Sequence, residues 1–274
     1  MTDPQTTELA NAVASFRADV DDVDRLVSGL DADGWGTPTP APGWTVGHQI
    51  AHLAATFRLA GLAAARPAAF IAITSQMSAD FGRNVAAALS EYLAEPPALL
   101  RTRWLDECAT TAAALAAAPA GNPVPWLVRP LPPAVLTCAG MMELFAHGQD
   151  IADALGTEIT RTDRLRWVTG FAVRTWDFGY QARGLPTPET SFRYELTAPS
   201  GATWTFGPDD AEQSVTGPAV DFCLLVTRRR HRDDLALTAT GADADAWMDI
   251  AQAYRGPSGE GRRPGQFAQV APRS

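Results

Sequence analysis

Four histidines and three cysteines in 274 residues leave little material for metal or thiol chemistry. Cys108, Cys138 and Cys223 are odd in number, far apart and outside any Cys-x-x-Cys pattern, which excludes a disulfide framework and a zinc ribbon. They read as small buried hydrophobes in a reduced cytoplasm. Cys138, five residues before Glu143, falls on a different helical face from it. No run of 18 apolar residues is present, which excludes a membrane-spanning helix. The opening Met1-Thr-Asp-Pro-Gln-Thr-Thr-Glu8 lacks the basic segment and apolar stretch of an export signal, so a cytoplasmic location is expected. Basic charge is also short, with 22 Lys and Arg against 31 Asp and Glu. The resulting −9 argues against a nucleic-acid or anionic-membrane partner. The glycines between Gly256 and Gly265 neither follow a strand nor open a helix, so they form no phosphate-cradling loop and read as a flexible tail.

Enough apolar material remains for a core. Hydrophobic residues make up 46% and charged residues 19%, the balance of a folded chain long enough for two domains. Leu9, Val13, Phe16, Val20, Val23, Leu26, Val27 and Leu30 recur at helical spacing, predicting an amphipathic helix over residues 6 to 30. Residues 31 to 43 are crowded with glycine and proline and predict no regular element. A second helix follows, with Thr45 as N-cap and Val46, Ile50, Leu53 and Phe57 as its apolar stripe. Residues 63 to 78 read as a loop or short irregular helix, and 81 to 93 as a further helical piece. Leu100, Trp104, Cys108, Thr111 and Leu115 mark a third main helix. A proline-rich connection over 126 to 133 leads to a fourth, residues 134 to 155, closed by Gly156. Residues 161 to 183 predict one more helix, stopped by Gly184.

The period then changes to two. Residues 191–197 and 202–206 alternate and predict a hairpin turning at Ala198 to Gly201. Short strands are expected at 213–216 and 235–240, and helices at 218–230 and 244–254. The fold class expected is a four-helix bundle followed by a small α+β domain, divided as residues 1–158 and 159–274. The tryptophans read mostly as core anchors, and Trp126, in its proline-rich loop, as a possible wall of a ligand pocket.

Chemistry concentrates on the fourth main helix. Glu143 and His147 stand four residues apart and project from one face, a two-point claw for a divalent cation. A carboxylate in so apolar a helix would be costly to bury alone, and a cation removes that cost. His48 and His52 share one side of the second helix, also four apart. Metal sites in bundles are built from side chains on facing helices. His52, deeper in its helix, is the better third ligand, and His48 a supporting or substrate-facing residue. Two histidines, one carboxylate and an open position make a catalytic rather than a structural zinc arrangement. Asp150, three residues past His147, either orients that imidazole or caps a hydrogen bond at the surface.

Pro42-Gly-Trp-Thr-Val-Gly-His-Gln-Ile-Ala-His-Leu53 with Met142-Glu-Leu-Phe-Ala-His-Gly-Gln-Asp-Ile-Ala-Asp-Ala-Leu-Gly156 resembles the mycothiol-dependent maleylpyruvate isomerase family, within the DinB-like metalloenzyme superfamily. The segments from Thr216 to Arg230 and from Ile250 to Pro257 resemble that family's second domain. The resemblance implies a DinB-like bundle and a divalent metal, usually Zn2+, held by His52, Glu143 and His147. It also implies a small thiol, mycothiol, as cosubstrate. In the namesake reaction the thiolate adds to a conjugated cis double bond, a single bond rotates and the thiol leaves; other members resemble thiol S-transferases. The family further uses an arginine of the second domain, matched by Arg229 or, one residue away, Arg228. Either would bind a substrate carboxylate or the thiol's cysteinyl part. The arginines from Arg228 to Arg232 also suit a helix C-terminus on electrostatic grounds alone. Gly140 stands where a larger polar residue is expected in such relatives, and its missing side chain predicts a wider pocket. The residues alone leave open a thiol-independent metal hydrolase or cyclase, and a non-catalytic metal or small-ligand binding protein. A small-molecule substrate is the expected partner, for a monomer or homodimer.

Overall fold

In the computed structural model, residues 3–127 and 129–267 are described. The chain divides into two compact units, Met1–Ile159 and Thr160–Ser274. The first is entirely helical apart from two isolated bridges: α1 (Pro4–Val27), α2 (Ala32–Trp35), α3 (Val46–Ala65), α4 (Pro67–Thr74), α5 (Phe81–Leu93), α6 (Pro97–Ala117) and α7 (Pro133–Leu155). Each long helix starts with a proline, a capping side chain, or both. Asp3 caps α1 through the Thr6 amide at 3.3 Å, and Asp80 caps α5 through the Arg83 amide at 3.1 Å.

Four of these helices form the bundle. α1 packs on α6 and α7, and α3 packs on the same two, so each of α6 and α7 lies between α1 and α3. The stripe residues Val13, Phe16, Val46, Ile50, Leu53, Phe57, Trp104, Leu115, Met141 and Leu144 are buried between them. Phe16 meets Phe57 edge-on at 5.0 Å, joining α1 to α3 through the centre. At the rim, Arg101 of α6 makes a two-pronged pair with Asp24 of α1, both contacts 2.7 Å. Partly exposed, that pair contributes about 0.2–1 kcal/mol. α7 ends at Gly156, whose φ of 62° is the left-handed conformation that closes a helix.

The breaker-rich segment after α1 holds more order than its composition predicts. Asp31 accepts from the Gly34 amide at 2.9 Å and so caps the single turn α2, and Pro38 bridges Thr45 across the following loop. Proline and glycine forbid a long element, but a side-chain cap is enough for one turn.

The second unit contains α8 (Leu165–Arg174), α9 (Phe178–Gln181), β1 (Phe192–Thr197), β2 (Thr203–Phe206), β3 (Gln213–Pro218), α10 (Ala219–Val226), β4 (Thr238–Thr240) and α11 (Ala242–Ile250). Its sheet runs β2-β1-β3-β4, with β1 antiparallel to β2 and parallel to β3. β3 is antiparallel to β4. The expected hairpin forms, turned by Gly201 donating to the Ala198 carbonyl at 2.9 Å. Phe192, Tyr194, Phe222 and Trp247 are buried together, with ring centroids 5.5 to 6.4 Å apart.

Four expected elements are shorter here than their patterns predict, and the helix expected over 218–230 is one of them, ending at Val226 just before Arg228 turns left-handed. The helix over 161–183 is two pieces, because the Trp247 indole takes the Trp176 carbonyl at 2.8 Å and Thr175 donates to the Phe171 and Ala253 carbonyls. Gly179 then passes so close to the Ile250 carbonyl that a Cβ would lie 2.1 Å from it. The last helix stops at Ile250 rather than 254, since the Ala253 amide leaves to donate to Val226 at 2.8 Å. The strand expected over 235–240 keeps only its last three residues, because the Ala236 amide donates to Oδ2 of Asp221 at 2.7 Å instead of to the sheet.

Candidate metal centre

The Thr45 cap sets where the histidines of α3 point. Thr45 lies beside Pro38 and opens α3, and its amide and hydroxyl lie 3.3 and 2.8 Å from Nδ1 of His48 in the first turn. One turn further, His52 faces α7. The structure brings His52, Glu143 and His147 together, with one ligand atom from each lying within 4.8 Å of the others. Oε2 of Glu143 is 3.2 Å from Nε2 of His147 and 3.6 Å from Nε2 of His52, and the two imidazole centroids are 4.5 Å apart.

These distances fit a tetrahedral ion. Zinc bonds of about 2.0–2.1 Å to nitrogen and oxygen place neighbouring ligand atoms about 3.4 Å apart. Two imidazoles and a carboxylate are also the donor chemistry a borderline divalent cation takes. Burial alone would push the Glu143 carboxyl up, but hydrogen bonding to His147 and then His52 outweighs it and holds the group well below the usual carboxylate range. The centre therefore keeps an anionic oxygen in a largely buried position.

Two residues with no part in the expected site complete its walls. Trp44 stacks on His147 at 6.0 Å with planes 19° apart, and its ring also lies 5.4 Å from His52 and 6.3 Å from His48. Gln49, fully buried, places Oε1 2.5 Å from Nδ1 of His147, while its Nε2 donates to Oγ1 of Thr39 at 2.8 Å. That hydroxyl donates in turn to the Trp44 carbonyl at 3.0 Å. A signal for Gln49 exists in the sequence: an amide on the apolar stripe of α3, three residues after Val46 and four before Leu53, needs a buried partner.

Asp150 is fully buried, which rules out a surface cap. The wider pocket expected at Gly140 is not there. A Cβ at that position would lie 3.1 Å from the Phe16 ring and 3.3 Å from the Phe57 ring, so the glycine faces the phenyl core. Trp126 stacks on Phe70 at 5.9 Å. In the second unit, α10 ends at Val226 with Thr227 as its cap, and the next residue, Arg228, has a φ of 59°, the left-handed conformation usually given to glycine. Arg229 donates through Nη1 to the Thr227 carbonyl at 2.7 Å. Among the described residues no helix is long and apolar enough to cross a membrane.

A helical bundle whose interior gathers two imidazoles and a carboxylate within reach of one cation defines a bundle with a candidate metal centre. A family model described as the mycothiol maleylpyruvate isomerase N-terminal domain matches residues 16–152, and the chain belongs to that family. A second model, described as wyosine base formation, matches residues 188–240. Uncharacterized proteins of two Mycobacterium tuberculosis strains, CDC 1551 / Oshkosh and ATCC 25618 / H37Rv, are each 44% identical over 250 residues. These matches cover 91% of this chain and 97% of the relative. The fold is similar to crystal structures of the mycothiol-dependent maleylpyruvate isomerase and of a histidine-to-alanine mutant of it. Their TM-scores are 0.53 and 0.55, at 18% identity, over 84% of this chain and 92% of theirs.

Proposed function

We propose that the protein is a metal-dependent enzyme that uses a low-molecular-weight thiol of the mycothiol type to isomerise, or to transfer its sulfur onto, a small electrophilic metabolite. The observation that carries this reading is the convergence of His52, Glu143 and His147, in a chain of the maleylpyruvate isomerase family. These three residues would hold the ion, and the N2O donor set makes Zn2+ our assignment. A divalent cation bound there would supply the positive charge that keeps a thiol deprotonated or polarises a substrate carbonyl.

The chain's own residues divide the remaining work. Glu143, held ionised, balances part of the cation's charge. Trp44, stacked across the imidazoles, shields them from water. His48, its Nδ1 engaged by the cap, is proposed to face the substrate, and Arg229 or Arg228 to bind a carboxylate of the substrate or thiol by a forked contact. In an isomerisation the sulfur adds to one carbon of a conjugated double bond, the resulting single bond rotates, and expulsion of the same sulfur restores the double bond. Nothing is oxidised or reduced, and the thiol is returned. In an S-transfer the new C–S bond remains, and the neighbouring carbon, which receives the electron pair of the double bond, takes up a proton, so the thiol is consumed as an adduct. We place the enzyme in the cytoplasm, as a monomer or homodimer.

The deciding experiment incubates the purified protein with mycothiol and electrophilic acceptors, maleylpyruvate among them, with and without a chelator. Turnover that needs the thiol, stops with chelator and returns with Zn2+ is the expected result. Thiol-independent turnover would overturn the thiol reading in favour of a metal-dependent hydrolase or cyclase. Metal uptake with no turnover on any acceptor would favour a binding protein.

A further inference from the structure

The Trp44 carbonyl only accepts, and it takes both the Thr39 amide at 2.8 Å and the Thr39 hydroxyl at 3.0 Å. With its one proton placed on this carbonyl, the Thr39 hydroxyl accepts at its oxygen from the Gln49 amide nitrogen. Gln49 therefore turns its carbonyl oxygen toward His147, and Nδ1 of His147 must carry a proton to make that contact. With Nδ1–H engaged, Nε2 is left as the nitrogen facing Glu143 and His52. From this geometry we infer that Gln49 is a positioning residue: it fixes the tautomer and ring orientation of His147 so that Nε2 is presented to a cation, and Thr39 fixes Gln49.

Its placement supports that role. Gln49 is fully buried on the apolar stripe of α3, where an amide brings no packing advantage over Leu or Met and costs free energy unless each of its ends is bonded. Both ends are bonded, one to the ligand imidazole and one to the loop that carries Trp44. The same short segment thus supplies the wall over the imidazoles and the anchor behind one of them.

The inference rests on the metal-centre reading above, and its test separates the two. Affinity for Zn2+ or Co2+ is measured by competition with a chromophoric chelator for the parent protein, Gln49→Met and Gln49→Glu. Met matches the length of Gln without an acceptor, whereas Glu keeps an acceptor toward Nδ1. Gln49→Met is expected to bind about 10–100-fold more weakly, with the thermal midpoint of the metal-free protein kept or raised. Gln49→Glu is expected to restore most of the affinity, which a purely structural role would not produce. Proton NMR of the metal-free protein is expected to show a slowly exchanging His147 Nδ1–H that Gln49→Met loses. If Gln49→Met does not fold, Thr39→Val, which frees the amide without removing it, should weaken binding in the same direction by a smaller factor. Unchanged affinity in the variant that folds, or a protected Nδ1–H in Gln49→Met, overturns the inference. A parent protein that takes up no metal overturns the function proposed above instead, and the NMR result then decides the role of Gln49 alone.

Discussion

Taken each by itself, the interiors of the two units are built on opposite terms. In the bundle, a patch of the core between α3 and α7 is given to Gln49, His52, Glu143 and His147, polar groups that converge on one another. In the second unit the core is a cluster of aromatic rings around Trp247, and it even contains a hydroxyl, that of Tyr194, with no hydrogen-bond partner among the described residues. Buried polar groups that must meet at one point are poor material for stability and good material for chemistry. Packed rings are the reverse. The difference separates residues kept for what they bind from residues kept for how they pack.

The largest effect is expected where that contrast is sharpest. Glu143→Ala removes the anionic member of the set and should reduce metal uptake and turnover to background. The metal-free variant should lose some stability at neutral pH, because the ionised carboxylate that His147 and His52 hold by hydrogen bonds is gone and both imidazoles lose that partner. Calorimetry of the metal-free variant beside a chelator competition reads both. A variant that loses stability while keeping its metal would make Glu143 a packing residue and erase the contrast.

Trp247→Ala is the counterpart in the aromatic core. Trp247 is fully buried, meets the Phe192, Tyr194 and Phe222 rings, and anchors the Trp176 carbonyl. Its removal should cost about 3–5 kcal/mol in denaturant unfolding, without changing metal affinity per folded molecule.

The two cores also differ in how far they can be read from the chain. Glu143 and His147 are legible as a pair because helical spacing alone places them on one face, and His52 is legible because few histidines exist to meet them. Gln49 is less so: glutamines are common, and only the fold brings one from ninety-eight positions away onto His147. Gly140 misled because an absent side chain has no direction in a sequence, and in the fold that direction is toward Phe16 and Phe57. In the second unit the periodicities of two and of 3.6 give β1, β2, β3 and the body of α10, but α10 stops at Val226 short of the expected 230, β4 is shortened, and the ends of α8 and α11 are set by carbonyls and amides captured from remote segments. No local pattern encodes such captures.

A smaller effect is expected at Arg228, where the second unit departs from its own rule. The residue sits in the left-handed region at φ 59°, and its guanidinium lies against Gly261, where a Cβ would come within 2.6 Å of Nη2. Packing alone would place glycine at this helix end. Arg228→Gly should therefore gain about 1 kcal/mol in stability and, if the side chain binds thiol or substrate, raise KM. A gain in stability with unchanged kinetics would assign the arginine role to Arg229.

The smallest effect is expected from Tyr194→Phe, and its sign carries the comparison. Burial holds the Tyr194 hydroxyl far above its ordinary pKa, so it stays protonated, and Tyr180 adds to the same direction. The hydroxyl is buried and has no hydrogen-bond partner among the described residues, so deleting it removes a desolvation cost while leaving the ring contacts with Phe192, Phe222 and Trp247 in place. Stability should be unchanged or rise by up to about 1 kcal/mol, with metal affinity and turnover untouched. A loss of more than that would show that the hydroxyl is bonded in solution, through a buried water for example. The aromatic core would then contain a satisfied polar network of its own, and polar burial would cease to mark function in this chain.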